Sequence, residues 1–298
     1  MKKTGILILA IILIRFLAYS QQNDSTVNIS LPLIAQVNQG NSYITFPIDI
    51  GNIEPLWFEG NVIPNFYLRK SQNSRLLGVL TPQIIIRMYR EESSPVRTPS
   101  YLPQITIYYR LTNLEKARSI NLYGRIAHHS NGQDGNFLLE NGKLNLKNGS
   151  FDTNFLELGF ISTNVNTHFN AYQFLKTSFE VHPSYFIQEE LIGIYSRYRW
   201  HNTFSIFKLV SDNARSNSNK PAISLKGEST WMFGNYNNLN VFSANRLNLS
   251  VTFYYHPKFL EDIGLFVQYY HGSDYYNIYF DHRIDVLRFG FMTEKLRF

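Results

Sequence analysis

The sequence predicts an all-β protein: a twelve-stranded antiparallel transmembrane β-barrel preceded by a short N-terminal periplasmic segment. Three observations predict it. The first is alternation. Leu247, Leu249, Val251, Phe253 and Tyr255 fall on one face of an extended chain, with Asn248, Ser250, Thr252 and Tyr254 on the other. Ile263, Leu265, Val267 and Tyr269 alternate in the same way with Gly264, Phe266 and Gln268, and Ile105, Ile107 and Tyr109 with Thr106, Tyr108 and Arg110. Most of the expected strands reach ten residues or more, and a tilted strand crosses hydrocarbon in about 9–11 residues. The second is composition: 20 Tyr and 23 Phe raise the aromatic share to 15%, enough for girdles at both rims of a barrel. The third is number. Strand-like stretches total about twelve, an even count, as single-chain bacterial barrels have.

In chain order, residues 1–20 read as a signal peptide. Lys2 and Lys3 precede an apolar run from Gly5 to Ile14, and Ala18-Tyr19-Ser20 offers small residues for cleavage. Residues 21–60 are mixed, with Pro32, Pro47 and Pro55, and read as the periplasmic segment. The barrel is expected over 61–298. Its strands are expected at 65–70, 76–90, 102–111, 118–130, 152–163, 170–182, 184–199, 201–211, 222–233, 243–256, 262–272 and 284–298. Stretches 91–100, 131–150 and 211–221, rich in Asn, Ser, Gly and Pro, read as loops. The aromatic Phe298 ends the sequence in the manner of barrel assembly signals.

Composition also excludes. The absence of cysteine removes disulfides, thiolate metal sites and a Cys nucleophile. Without Lys2, Lys3 and Arg15 the net charge is about +3, too mild to argue for nucleic acid. No run of 18 apolar residues follows the leader, so no transmembrane helix is expected.

The chemistry is expected at the end of one strand. In Leu122–Gly132, alternation puts Leu122, Gly124, Ile126, His128 and Ser130 on one face. A serine two residues from a histidine on one pleat is the smallest unit of nucleophilic acyl transfer. A third group must hold the imidazole in the useful tautomer. On the next strand Asn154 shares a face with Leu156, Leu158 and Phe160. In a barrel the apolar face is the lipid face, so His128, Ser130 and Asn154 are expected to meet on the outer wall, near one rim. There a lipid ester would be presented. His129, on the opposite parity, is expected to face the lumen.

These residues resemble the bacterial outer-membrane phospholipase A (phospholipase A1) family. His128-His129-Ser130-Asn131-Gly132 is similar to its His-x-Ser-Asn-Gly motif, and Ser150-Phe151-Asp152-Thr153-Asn154 to the Ser-x-x-x-Asn that follows. The stretch Glu91–Gln104 resembles a family segment running from Glu-Glu-Ser-Ser-Pro-x-Arg to Tyr-x-Pro-Gln. Phe179–Pro183, Gly272–Asn277 and Arg288-Phe289-Gly290 resemble later strands, so the likeness covers roughly 76–298. It implies a calcium-dependent (Ca2+) hydrolase of the bacterial outer membrane, acting on acyl esters of glycerophospholipids and activated by reversible homodimerisation. Carried over, Ser130 is the nucleophile, His128 the general base and Asn154 its orienter. The Gly132 N–H is the oxyanion donor. The implied calcium ligands are Ser93 from the partner subunit, the Gln133 carbonyl and Ser150, with Asp134 and Glu190 (beside Glu189) as acidic candidates. The sequence departs from the family at Gln133, where Arg is usual, and Asp134 is one place off. The alternatives are a non-enzymatic barrel, porin or adhesin, and a lipid A deacylase-like esterase.

Overall fold

The structure, a computed structural model, describes residues 29–47, 49–68, 74–93, 95–112, 118–166, 168–209, 221–293 and 296. The expected signal peptide, residues 1–20, and Phe298 lie outside the described residues.

One sheet closes on itself. Its strands are β1 (Tyr43–Thr45), β2 (Leu56–Val62), β3 (Phe66–Tyr67), β4 (Leu76–Tyr89), β5 (Ser100–Arg110), β6 (Arg118–Ser130), β7 (Asp152–Asn166), β8 (Ala171–Val181), β9 (Tyr198–Leu209), β10 (Pro221–Phe233), β11 (Leu247–Tyr255), β12 (Ile263–Ser273) and β13 (Arg283–Thr293). From β4 to β13 each strand pairs antiparallel with the next. β1 then joins β13 to β2, and β2 returns to β4. Two-residue β3 lies beside the far end of β4, beyond a break in β2 at residues 63–65, so twelve staves form the ring.

The walls alternate as the sequence predicts. Ile105, Ile107, Ile126, Leu156, Leu158 and Phe160 are exposed on the outside, while Thr106, Tyr108, Arg110, Asn121 and Glu157 are buried within. This is the inversion proper to a barrel in lipid, apolar outward and polar inward. Among the described residues no helix is long and apolar enough to cross a membrane.

Three expectations need correction. The boundary at 60/61 falls inside β2, and β1 and β2, from the stretch expected to be periplasmic, complete the wall. Their sequences hide this: β1 has three residues, and β2 centres on Glu59, a carboxylate that is fully buried. The strand expected at 184–199 is instead a loop with 3-10 turns at Ser184–Phe186 and Glu189–Leu191. Its apolar residues Ile187, Leu191 and Tyr195 pack beneath the other loops, against Phe151, Tyr276 and Phe280. In the count of twelve, the stave misplaced at 184–199 stands in for β1, and the stretch expected at 65–70 holds only β3, the short far end of the stave whose main part is β2. The last strand is described over Arg283–Thr293, and Leu296 lies outside it, in a core cluster at the opposite end of the barrel.

That second cluster is built around α1 (Leu31–Gln39), a helix inside the lumen. Ser30 caps its start, accepting from the Leu33 N–H at 3.5 Å, and Pro32 suits its first turn. Leu31, Ile34 and Ala35 bury against Leu77, Tyr108 and Phe174. Asn38 Nδ2 and Gln39 Nε2 donate to the Tyr108 hydroxyl at 2.8 and 3.1 Å. Part of the stretch read as the periplasmic segment therefore occupies the lumen. The longer connections, 131–151, 182–197 and 234–246, all leave from the other end. Bacterial barrels turn such loops outward from the cell.

Inside that loop-bearing end, Arg87 is buried between two carboxylates. Its Nε meets Glu59 Oε2 at 2.8 Å, and its two terminal nitrogens clasp Asp274 at 2.6 and 2.8 Å. Glu59 also accepts from Tyr43 at 2.6 Å and lies 3.3 Å from Arg288. The network links β1, β2, β4, β13 and the β12–β13 loop across the seam of the ring.

Candidate functional site

β6 and β7 run in a register that sets His128 opposite Asn154 and Ser130 opposite Asp152. All four sit on the outer face, at the loop-bearing end. His128 Nδ1 lies 3.0 Å from Asn154 Oδ1. Which way the Asn amide points follows from its other end: Asn154 Nδ2 donates to the Phe186 carbonyl at 3.0 Å. The amide oxygen must then face the ring, so Nδ1 carries the proton and Nε2 keeps its lone pair. Ser130 is two residues along the same pleat. Among the described residues its hydroxyl makes no hydrogen bond to the imidazole; such contacts often tighten only when substrate binds.

Beneath the His128–Asn154 pair the outer wall carries a groove of about 990 Å³. It is lined chiefly by Ile105, Ile126, Leu156, Leu158, Phe160 and Phe179. Gly124 leaves its floor open, since a Cβ there would meet nothing nearer than Leu158 Cδ1 at 3.9 Å.

The loop after Ser130 is stapled by Asn131, which is fully buried. Its Nδ2 donates to the Gly149 carbonyl at 2.7 Å, and its Oδ1 accepts from the N–H groups of Gln133 (3.2 Å) and Phe151 (3.0 Å). One side chain thus closes the base of a loop that leaves the strand and returns. Gly132 has φ +64°, a left-handed conformation that favours glycine. A Cβ at Gly132 would sit 3.3 Å from the Tyr101 ring. Gly132 is exposed, and its N–H has no partner among the described residues.

Of the implied metal ligands, Ser150 is tied to the chain just after Gln133 and Asp134: its N–H donates to the Gly135 carbonyl at 2.9 Å. Ser150 Oγ accepts from Gln188 Nε2 at 3.1 Å and keeps a lone pair. A hydroxyl, a carbonyl and one carboxylate are hard oxygen donors of the kind calcium takes. The structure does not bring Glu189 or Glu190 to them by any described contact; both are exposed. Ser93 is exposed on the β4–β5 loop. Among the described residues no three His, Asp or Glu side chains form a metal cluster.

The lumen side of the same strands is a polar brace. Thr153 Oγ1 and His182 Nδ1 are 2.7 Å apart, and His182 Nε2 is 2.8 Å from Glu180. Burial pushes the His182 imidazole below its ordinary value, with the Glu180 carboxylate opposing the shift. A neutral ring accepts from Thr153 and donates to Glu180. His129, inside as expected, is 3.2 Å from Ser100 Oγ, which also accepts from Asn277 at 2.9 Å.

Four residues at the site were not singled out from sequence: Asn131, Asp152, Phe186 and Gln188. Asp152 could have been, because it shares parity with Asn154. Phe186 acts through its backbone, which no side-chain pattern reveals. Gln188 accepts from the Asp152 N–H at 3.1 Å and donates to Ser150, so the β8–β9 loop clamps the start of β7.

Comparison with solved structures gives the same ring. Outer membrane phospholipase A from Escherichia coli aligns over 89% of this chain and 98% of its own, with a TM-score of 0.58 and 13% identity. The fold resembles that of outer membrane phospholipase A. The Salmonella typhi outer membrane phospholipase, a dimer with bound calcium, aligns over 92% of this chain and 94% of its own, with a TM-score of 0.55 and 13% identity. At that identity the likeness to these phospholipases is one of fold. No family model matches the chain, and no curated protein matches it significantly.

Proposed function

We propose that the protein is an outer-membrane phospholipase, hydrolysing acyl esters of glycerophospholipids through Ser130, His128 and Asn154. The observation that carries this reading is the outward-facing His128–Asn154 bond, with the amide locked by the Phe186 carbonyl. A polar pair on a lipid-facing wall is costly unless it is bonded or used. This one is bonded on the Nδ1 side, leaves Nε2 available, and stands above an apolar groove suited to acyl chains.

In the first half-reaction His128 Nε2 takes the Ser130 proton as Oγ bonds to the ester carbonyl carbon. The carbonyl oxygen becomes an oxyanion, within reach of the free Gly132 N–H. Collapse breaks the ester C–O bond, and His128 returns its proton to the departing lysolipid oxygen. Water, deprotonated by the same nitrogen, then releases the fatty acid and restores Ser130. Asn154 holds the ring but adds no charge. Gln133, Asp134 and Ser150 would hold calcium, with Ser93 of a second copy of the chain. Bound there, the ion would add positive charge beside the oxyanion. Calcium dependence and activation by dimerisation belong to this proposal.

Fatty-acid release from phospholipid–detergent micelles tests it, with and without chelator, on the refolded protein and on Ser130→Ala. Release that needs calcium and disappears in Ser130→Ala supports the reading. Undiminished release by Ser130→Ala, or none from the unaltered protein in calcium, overturns it in favour of a non-enzymatic barrel.

A further inference from the structure

In the triad read above the third member is an amide, and an amide cannot neutralise the imidazolium that forms when His128 takes the serine proton. A carboxylate stands beside it. Asp152 is two residues before Asn154 on β7, on the same outer face, directly opposite Ser130. Its Oδ1 is 3.6 Å from His128 Nδ1, the same nitrogen that bonds Asn154. Among the described residues it is the one carboxylate within 4 Å of that ring, and no Lys or Arg pairs with it. Its backbone is fixed on both sides by one residue: the Asp152 N–H donates to Gln188 Oε1, and the Asp152 carbonyl accepts from the Gln188 N–H, each at 3.1 Å. The side chain makes no hydrogen bond among the described residues, so its charge is not committed elsewhere.

We infer that Asp152 is a positioning and charge-supplying residue for His128, dividing with Asn154 the work one carboxylate does in a Ser-His-Asp triad. Asn154 fixes the tautomer. Asp152 supplies the negative charge that favours the imidazolium in the transition state. The inference rests on the hydrolase reading. The carboxylate is partly exposed, so water screens it, and the effect on kcat is about tenfold rather than the full effect of a buried pair.

The test uses the full chain, refolded, with kcat and KM measured on phospholipid–detergent micelles at saturating calcium. Asp152→Asn keeps shape and removes charge; the side chain is unbonded, so the barrel forms. It is expected to lower kcat about tenfold while KM stays within about twofold. Asp152→Glu restores most of the loss. Asn154→Asp, added to Asp152→Asn, also restores it, because a carboxylate then stands at the bonded position. Unchanged kcat in Asp152→Asn overturns the inference. So does a loss that Asn154→Asp fails to recover, or one that higher calcium alone reverses, since that would make Asp152 a metal ligand. Ser130→Ala, run in parallel, separates the two readings: if it is inactive while Asp152→Asn is normal, only the role of Asp152 falls.

Discussion

Thr153 and His182 meet at 2.7 Å on the lumen side of β7, directly behind the residue whose amide holds the outer imidazole. His182 is followed by Pro183 and the turn that presents the Phe186 carbonyl, so an interior contact fixes an exterior one. Thr153→Val keeps the volume and leaves His182 Nδ1 without its donor. A buried polar group left unsatisfied costs about 1–3 kcal/mol. The expected outcome is a folded barrel whose 183–190 loop is cleaved faster by added protease, with fatty-acid release reduced several-fold. Equal cleavage rates would show that the loop is held elsewhere.

The same histidine gives a pH dependence. Burial lowers its pKa from the ordinary 6.5, so the native ring is neutral. The unfolded chain takes up a proton as pH falls through that value. The stabilisation is therefore complete above about 6.5 and declines below it. Urea midpoints should fall from about pH 7.5 to about pH 5, and His182→Gln should flatten that slope even though it is less stable at the upper pH.

Asn131→Ala removes three hydrogen bonds from the base of the 131–150 loop and leaves the Gly149 carbonyl and two N–H groups unpaired. The expected cost is about 2–3 kcal/mol in loop stability. Gly132 and Ser150 would lose their relation to Ser130. Calcium titration of activity should show weaker half-activation together with a fall in maximal rate. A fall in rate with unchanged calcium response would assign Asn131 to the nucleophile side alone.

Arg87→Met leaves Asp274 buried without its cation. Breaking a buried pair by removing one partner costs about 3–5 kcal/mol. Refolding yield and urea midpoint should both fall. Pairing the change with Asp274→Leu should recover part of the loss, because two apolar side chains need no partners.

Much of this arrangement was legible in the sequence, for a physical reason. A strand has one periodicity and two faces, so once lipid claims the apolar face, the side of every other residue on it follows. That is how Ser130, His128 and Asn154 could be placed outside and His129 inside. Parity says nothing of short or interrupted strands. β1 is three residues long, and β2 carries Glu59 and Gly60 at its centre. Nor does it distinguish a strand from a loop with its own apolar core. The stretch 184–199 reads as a wall stave, yet Pro183 and Gly193, with φ +90°, turn the chain into a cap. The Phe186 carbonyl and the Gln188 clamp lie in that misread stretch, so the contacts that hold the His128–Asn154 pair were hidden while the outward facing of the pair was not.

β1 joins β13 over three residue pairs, Tyr43–Met292 to Thr45–Gly290, and Ile50 bridges Leu287 beyond them. α1 lies just before β1 in the chain and is already enclosed by the wall. Only Gly40, Asn41 and Ser42 separate the helix from the strand that closes the ring, so the filling of the lumen and the closure of the wall are carried by one short stretch of chain.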